Sequence, residues 1–151
     1  MLRDAINNAL KEAMKAKDER RVSTLRLVNA ALKNADIETR GQGKPPFSDD
    51  EILSLLQKMI KQRQESIELY EKGGRPELAK QESDEIAIIS LYLPKQMSDT
   101  EAGAVISAIV HEINAQGMKD MGRVMAALKE RHAGKLDFSK ASGLVKKLLG
   151  S

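Results

Sequence analysis

Between Lys58 and Pro94 the chain has two stretches of helical periodicity with charges set inside their apolar faces. Buried charge is costly unless it is paired, so a segment of this kind must specify a partner for each charge as well as a helix. In the first stretch Leu56, Ile60, Arg63, Ile67 and Tyr70 follow a four-three-four-three spacing, which places Arg63 within the apolar stripe. In the second, Leu78, Glu82, Glu85 or Ile86, and Ile89 form the face, so two carboxylates intrude. The link from Lys72 to Pro76, with Gly73-Gly74 at its centre, is short enough to predict an antiparallel hairpin. Arg63 and Glu85 lie equally far from Gly74 along the chain, and the spacing predicts an interhelical pair of Arg63 with Glu85 or Glu82. Two uses of that pair are open. It can fix the register of the hairpin, or Arg63 can join Lys61 and Arg75 to clamp a phosphate or carboxylate. Lys61, Glu65, Glu68 and Lys72 form a separate stripe that reads as solvated helix-surface pairs.

Apolar residues recur at helical spacing through most of the remainder, and no stretch alternates as a strand would. The predicted class is all-α: an N-terminal four-helix array containing the hairpin, then a small three-helix C-terminal domain. Leu2, Ile6, Leu10 and Met14 form the stripe of the first helix, and Asp18 caps a second with the face Val22, Leu25, Asn29 and Leu32. Arg40 to Phe47 reads as a loop, after which Ser48 and Glu51 form a capping box. Gly73-Gly74 closes that third helix, Pro76 opens the fourth and Pro94 ends it. A boundary at Lys95 to Met97 divides domains 1–94 and 95–151, because Ser98 with Glu101 starts a second capping box at once. Beyond it, Val105, Ile106, Ile109 and Ile113 mark a helix ended by Gly117. Met121, Val124, Met125 and Leu128 mark the next, ended near Gly134. Asp137 caps the last, with the face Phe138, Ala141, Leu144, Val145, Leu148 and Leu149.

Composition narrows the function classes. With no cysteine there is no disulfide framework, thiolate metal site or thiol nucleophile. The N-terminal stretch Met1 to Ala16 mixes Arg3, Asp4, Lys11 and Glu12 into its apolar residues, unlike a signal peptide or membrane span. A cytoplasmic address and no membrane partner are therefore expected. Scarce aromatics (Phe47, Tyr70, Tyr92, Phe138) argue against a platform for base stacking.

The formal net charge of +3 is unevenly spread. Residues 1–94 balance, residues 95–118 are acidic, and residues 119–151 set eight basic side chains against Asp120, Glu130 and Asp137. A polyanion would be drawn to that C-terminal part, although ordinary solvated faces are the commoner use of such lysines.

No catalytic constellation, metal site or cofactor site is indicated. His111 and His132 have neither zinc-type spacing nor a nucleophilic serine motif nearby, and both suit core-edge or helix-end positions. Glu82 and Glu85 share a face, as two-carboxylate chemistry or a metal could use, but Arg63 in the same seam points to neutralisation. The glycines at 41, 43, 73 and 74 form neither a phosphate loop nor a dinucleotide fingerprint.

Several blocks together resemble one family: Thr24-Leu25-Arg26-Leu27 with Asn29-Ala30-Ala31 and Lys33-Asn34, then Lys61-Gln62-Arg63 with Glu65-Ser66, then Gly74-Arg75 with Glu77-Leu78-Ala79, and Tyr92-Leu93-Pro94 with Gln96. In this order and spacing they look like the YqeY-like proteins, over nearly the whole chain. Met121-Gly122-Arg123-Val124-Met125 and Val145-Lys146-Lys147-Leu148-Leu149 agree, while Ala133 to Phe138 departs from the usual glycine-rich basic pattern. The resemblance implies a two-part helical protein whose C-terminal part is similar to the tail domain of the GatB subunit of the tRNA-dependent amidotransferase. That tail touches tRNA, and the active sites of that enzyme lie elsewhere. The resemblance implies a link to carbon-nitrogen ligase (glutamine amido-donor) activity by family association only, without amidotransferase machinery in this chain.

The expected function is a noncatalytic accessory module that binds tRNA or a tRNA-charging complex. Lys119, Arg123, Lys129, Arg131, Lys135, Lys140, Lys146 and Lys147 are the candidate contacts, to phosphate and shape rather than to bases. The alternative is a protein-interaction adaptor that docks through the N-terminal helices and the Arg40 to Phe47 loop.

Overall fold

The computed structural model describes residues 1–150, which form seven α-helices and no strand. The chain divides into two compact units, residues 1–94 and residues 95 onward.

In the first unit α1 (Leu2–Lys15), α2 (Glu19–Gly41), α3 (Asp49–Lys72) and α4 (Pro76–Ser90) enclose Ile6, Ala13, Leu25, Val28, Leu32, Ile52, Leu56, Met59 and Ile89. Local chemistry fixes where these helices start. The Asp18 carboxylate accepts from the Arg21 N–H at 3.2 Å, and Ser48 and Glu51 exchange bonds in a full capping box, which satisfies orphan donors of the first turn. Gly74, at φ +71°, takes the left-handed conformation that lets the chain reverse after α3.

Two details of the first unit differ from the sequence expectation. Met14 is half exposed and Ala13 is fully enclosed in its place. A stripe built on repeated steps of four drifts about 40° per step, so Met14 has left the face that Leu2 and Ile6 define, and Ala13 returns to it. Helix α2 also continues through Arg40 and Gly41, two residues into the segment expected to be loop. Its inner face includes Thr24 and Val28 beside Leu25 and Leu32, whereas Asn29 is only half-buried.

A polar clamp holds the first unit at the α2–α3 connection. Arg3 gives two hydrogen bonds to Asp36, at 2.6 and 3.2 Å, and one to the Phe47 carbonyl at 3.1 Å, while the Phe47 N–H donates to Asp36 at 3.1 Å. α1, α2 and the approach to α3 are thereby joined through one carboxylate.

The second unit packs α5 (Asp99–Glu112), α6 (Met121–His132) and α7 (Phe138–Gly150) around Ala102, Ile106, Ile109, Val124, Leu128, Leu136, Ala141 and Val145. Ser98 and Glu101 complete a capping box at α5, and Asp137 accepts from the Ser139 and Lys140 N–H groups at the start of α7. α5 ends earlier than expected. Asn114, at φ +53°, is the left-handed residue just beyond the helix, a conformation its short polar side chain tolerates, and Gly117 is extended instead. Leu144 and Leu148, assigned to the inner face of α7 from spacing, are 37% and 46% exposed, because Ala141 and Val145 set the buried line.

Candidate functional site

The Arg63 seam is built by α3 and α4. Arg63 Nε donates to Glu85 Oε2 at 2.9 Å and lies 3.9 Å from Glu82 Oε2, and its Nη1 donates to the Met59 carbonyl at 3.1 Å. Glu85 is buried and the other two groups are mostly covered. One cation thus faces two carboxylates. Burial first, and then the Glu85 charge, push the Glu82 carboxyl above its ordinary range against the opposing pull of Arg63. Arg75 pairs instead with Glu77 at 2.8 Å, in the open, so it is not gathered with Arg63. Lys61 is exposed. Arg63 is thus committed to the carboxylates of α4 and Arg75 to Glu77, and the Arg63–Glu85 pair joins α3 to α4.

Among the described residues no group of three or more histidine, aspartate and glutamate side chains is arranged to hold a metal ion. No described helix is long and apolar enough to cross a membrane.

The eight candidate basic residues of the second unit separate into two kinds. Arg131 makes a bidentate pair with Glu112, at 2.7 and 2.9 Å, which ties the end of α6 to the end of α5. Arg123 donates to Asp120 at 3.1 Å and to the Ile113 carbonyl at 3.2 Å. Asp120 also accepts from the Gln116 N–H at 2.8 Å, and that bond first and Arg123 next hold its carboxyl below the usual range. Both arginines are thus engaged in closing the α5–α6 connection.

The six lysines differ from these arginines. Lys119, Lys129, Lys135, Lys140, Lys146 and Lys147 are exposed, and among the described residues none has an ion-pair partner. Lys119 sits in the 3-10 turn Met118–Asp120, which packs on α7. Lys146 and Lys147 flank a shallow depression of about 450 Å³ whose other lining residues are Met118, Gly143 and Gly150. Gly143, Lys147 and Gly150 recur along one side of α7, so the absence of two side chains forms the depression between the lysines. Lys140 stands two turns before Lys147 on the same stripe. Lys135 belongs to the link before α7, where its carbonyl accepts from the Met97 N–H at 2.9 Å.

His132 closes α6. Burial, then Lys135 and Arg131, hold its imidazole below the ordinary range, and its enclosed Nδ1 has no hydrogen-bond partner among the described residues. His111 is exposed.

A family model described as Yqey-like protein matches residues 3–149. The chain belongs to the YqeY-like family. Similar proteins include the Altered inheritance of mitochondria protein 41, mitochondrial, of Lachancea thermotolerans, 36% identical over 69% of this chain and 55% of that protein. The protein of the same name in Eremothecium gossypii is 34% identical over 70% of this chain and 57% of its own length. An uncharacterised protein of Schizosaccharomyces pombe is 30% identical over 65% of this YqeY-like chain and 76% of its own. The chain spans a little over half the length of the first two relatives.

Their names overturn the cytoplasmic address expected from the sequence, since both are mitochondrial proteins. The physical reason is plain. Charges in the first turns distinguish this segment from a hydrophobic span, but they carry nothing that separates one aqueous compartment from another.

Proposed function

We propose that this YqeY-like chain is a noncatalytic accessory module that binds tRNA, or a complex that charges tRNA, through the lysines of its second unit. One observation carries the reading: the two arginines are neutralised within the fold, while Lys119, Lys129, Lys135, Lys140, Lys146 and Lys147 keep their charge for a partner. Cations without an internal carboxylate release counterions when they meet phosphate, a strong and sequence-tolerant source of affinity. Aromatic stacking is not called on. Contacts with backbone and shape suit a folded RNA. The link to an amidotransferase, and to carbon-nitrogen ligase activity, rests on the family resemblance of residues 95–151 to a tRNA-contacting tail, and no residue here is assigned catalysis.

The test is binding of purified chain to bulk tRNA by gel shift or filter retention at low salt, repeated across a salt series. Lys146→Glu with Lys147→Glu is expected to lower affinity at least tenfold and to flatten the dependence on salt. No detectable binding at low salt, or affinity unchanged in the double variant, would sink the reading.

A further inference from the structure

We infer that the outer face of α2 is a docking seam for an acidic amphipathic helix of a partner protein. The face opposite its core side carries Leu27, Ala30, Asn34, Ile37 and Gly41 at spacings of three, four, three and four. These are the a and d positions of a coiled-coil repeat, drawn on a helix whose other face is already buried in the first unit. All five are exposed, with Leu27 at 47% and Ile37 at 54%. Ala30 and Gly41 are small, which lets a second backbone approach the seam closely.

Charge identifies the occupant. Arg26, Lys33 and Arg40 occupy the g position of each repeat, immediately before Leu27, Asn34 and Gly41. All three are exposed, and none has an ion pair among the described residues. Asp36 feels the Arg40 charge but gives its carboxylate to Arg3 and to the Phe47 N–H. Residues in g positions choose the partner of a coiled coil through the charges they meet across the seam. A helix with an apolar seam bordered by carboxylates answers both the row of three cations and the exposed aliphatics.

Other occupants match less of the surface. In a parallel pairing of two copies the cations would meet Ala31 and Glu38, one carboxylate for three charges, and in an antiparallel pairing the cation rows would face each other. Nucleic acid would use the cations and leave Leu27 and Ile37 against phosphate and water. The seam is separate from the lysines of the second unit, so it stands independently of the RNA reading.

The test uses the full chain and a fluorescein-labelled helical peptide of three heptads with Leu and Ile at its seam and Glu at every flanking position. A second peptide has Lys at each Glu position. Like charges on both flanks keep either peptide from self-pairing. Anisotropy titrations are expected to show binding of the Glu peptide only. R26E with K33E and R40E should reverse that preference, and Leu27→Asp with Ile37→Asp should weaken Glu-peptide binding at least tenfold while the variant still unfolds cooperatively with the parent's helical circular dichroism, since neither residue belongs to the buried core. Absence of Glu-peptide binding, or a preference that survives the triple reversal, overturns the inference. So does amide protection of α2 by tRNA or anionic vesicles in place of the peptide.

Discussion

Arg63 and Glu85 lie on different helices, their charged atoms 2.9 Å apart, with Glu85 almost entirely enclosed. Removing one member of such a pair strands the other, at a typical cost of about 3–5 kcal/mol. Because Glu82 stands beside Glu85, Arg63→Ala would leave two carboxylates in one seam. A loss of about 3 kcal/mol is expected by urea denaturation, and Arg63→Met combined with Glu82→Gln and Glu85→Leu should recover most of it. A loss below about 1 kcal/mol for Arg63→Ala would show that the seam rearranges around other partners.

Glu82 predicts a particular dependence on pH. Its folded-state carboxyl is held above the ordinary range, mainly by burial, so it binds its proton more tightly folded than unfolded. The resulting stabilisation is complete below the ordinary Glu value of about 4.3 and is lost as pH rises through the folded value. Glu82→Gln removes the ionisation. Its thermal midpoint relative to the parent chain should rise with pH across that window and then level off, and a flat difference would contradict the assignment.

The Arg3–Asp36 clamp has the opposite sign. The Arg3 hydrogen bond first, and the Phe47 N–H after it, hold the Asp36 carboxyl below its usual range. Its contribution is present above the ordinary Asp value of about 3.9 and disappears as pH falls through the lower folded value. Asp36→Asn is expected to cost about 1–2 kcal/mol at neutral pH, discounted for the partial exposure of Arg3, and to make the acid limb of the unfolding curve shallower.

Thr24 offers a gain. Its hydroxyl is fully buried in the first unit and has no hydrogen-bond partner among the described residues. Thr24→Val keeps the shape and removes the unsatisfied group, so a rise of up to about 1 kcal/mol is expected by chemical denaturation. Thr24→Ser should be destabilising, because it keeps the hydroxyl and deletes a packed methyl. If Thr24→Val proves less stable than the parent, the hydroxyl has a partner in solution.

The sequence made the helices legible wherever a short-range device marks an end. Ser48 with Glu51, Ser98 with Glu101, Asp18 and Asp137 each satisfy backbone donors within a few residues, so their meaning is local. What spacing could not resolve was set by neighbours. Ala13 displaces Met14 because α1 turns at its own period against the core, and Asn114 ends α5 although a glycine stands three residues later. The candidate site was legible as a set of basic residues but not as a division among them. Arg131 meets a carboxylate nineteen positions away, and no spacing rule links Glu112 to it.

Every ion pair among the described residues has arginine as its cation: Arg3, Arg63, Arg75, Arg123 and Arg131. No lysine takes part in those pairs, whereas the unpaired cations at the surface include Arg26 and Arg40 as well as the lysines. Acylating the lysine amines throughout the chain would strip away much of its outward positive charge while leaving those structural pairs intact, so the lysine charge of the surface could be removed chemically without touching the pairs that join the helices.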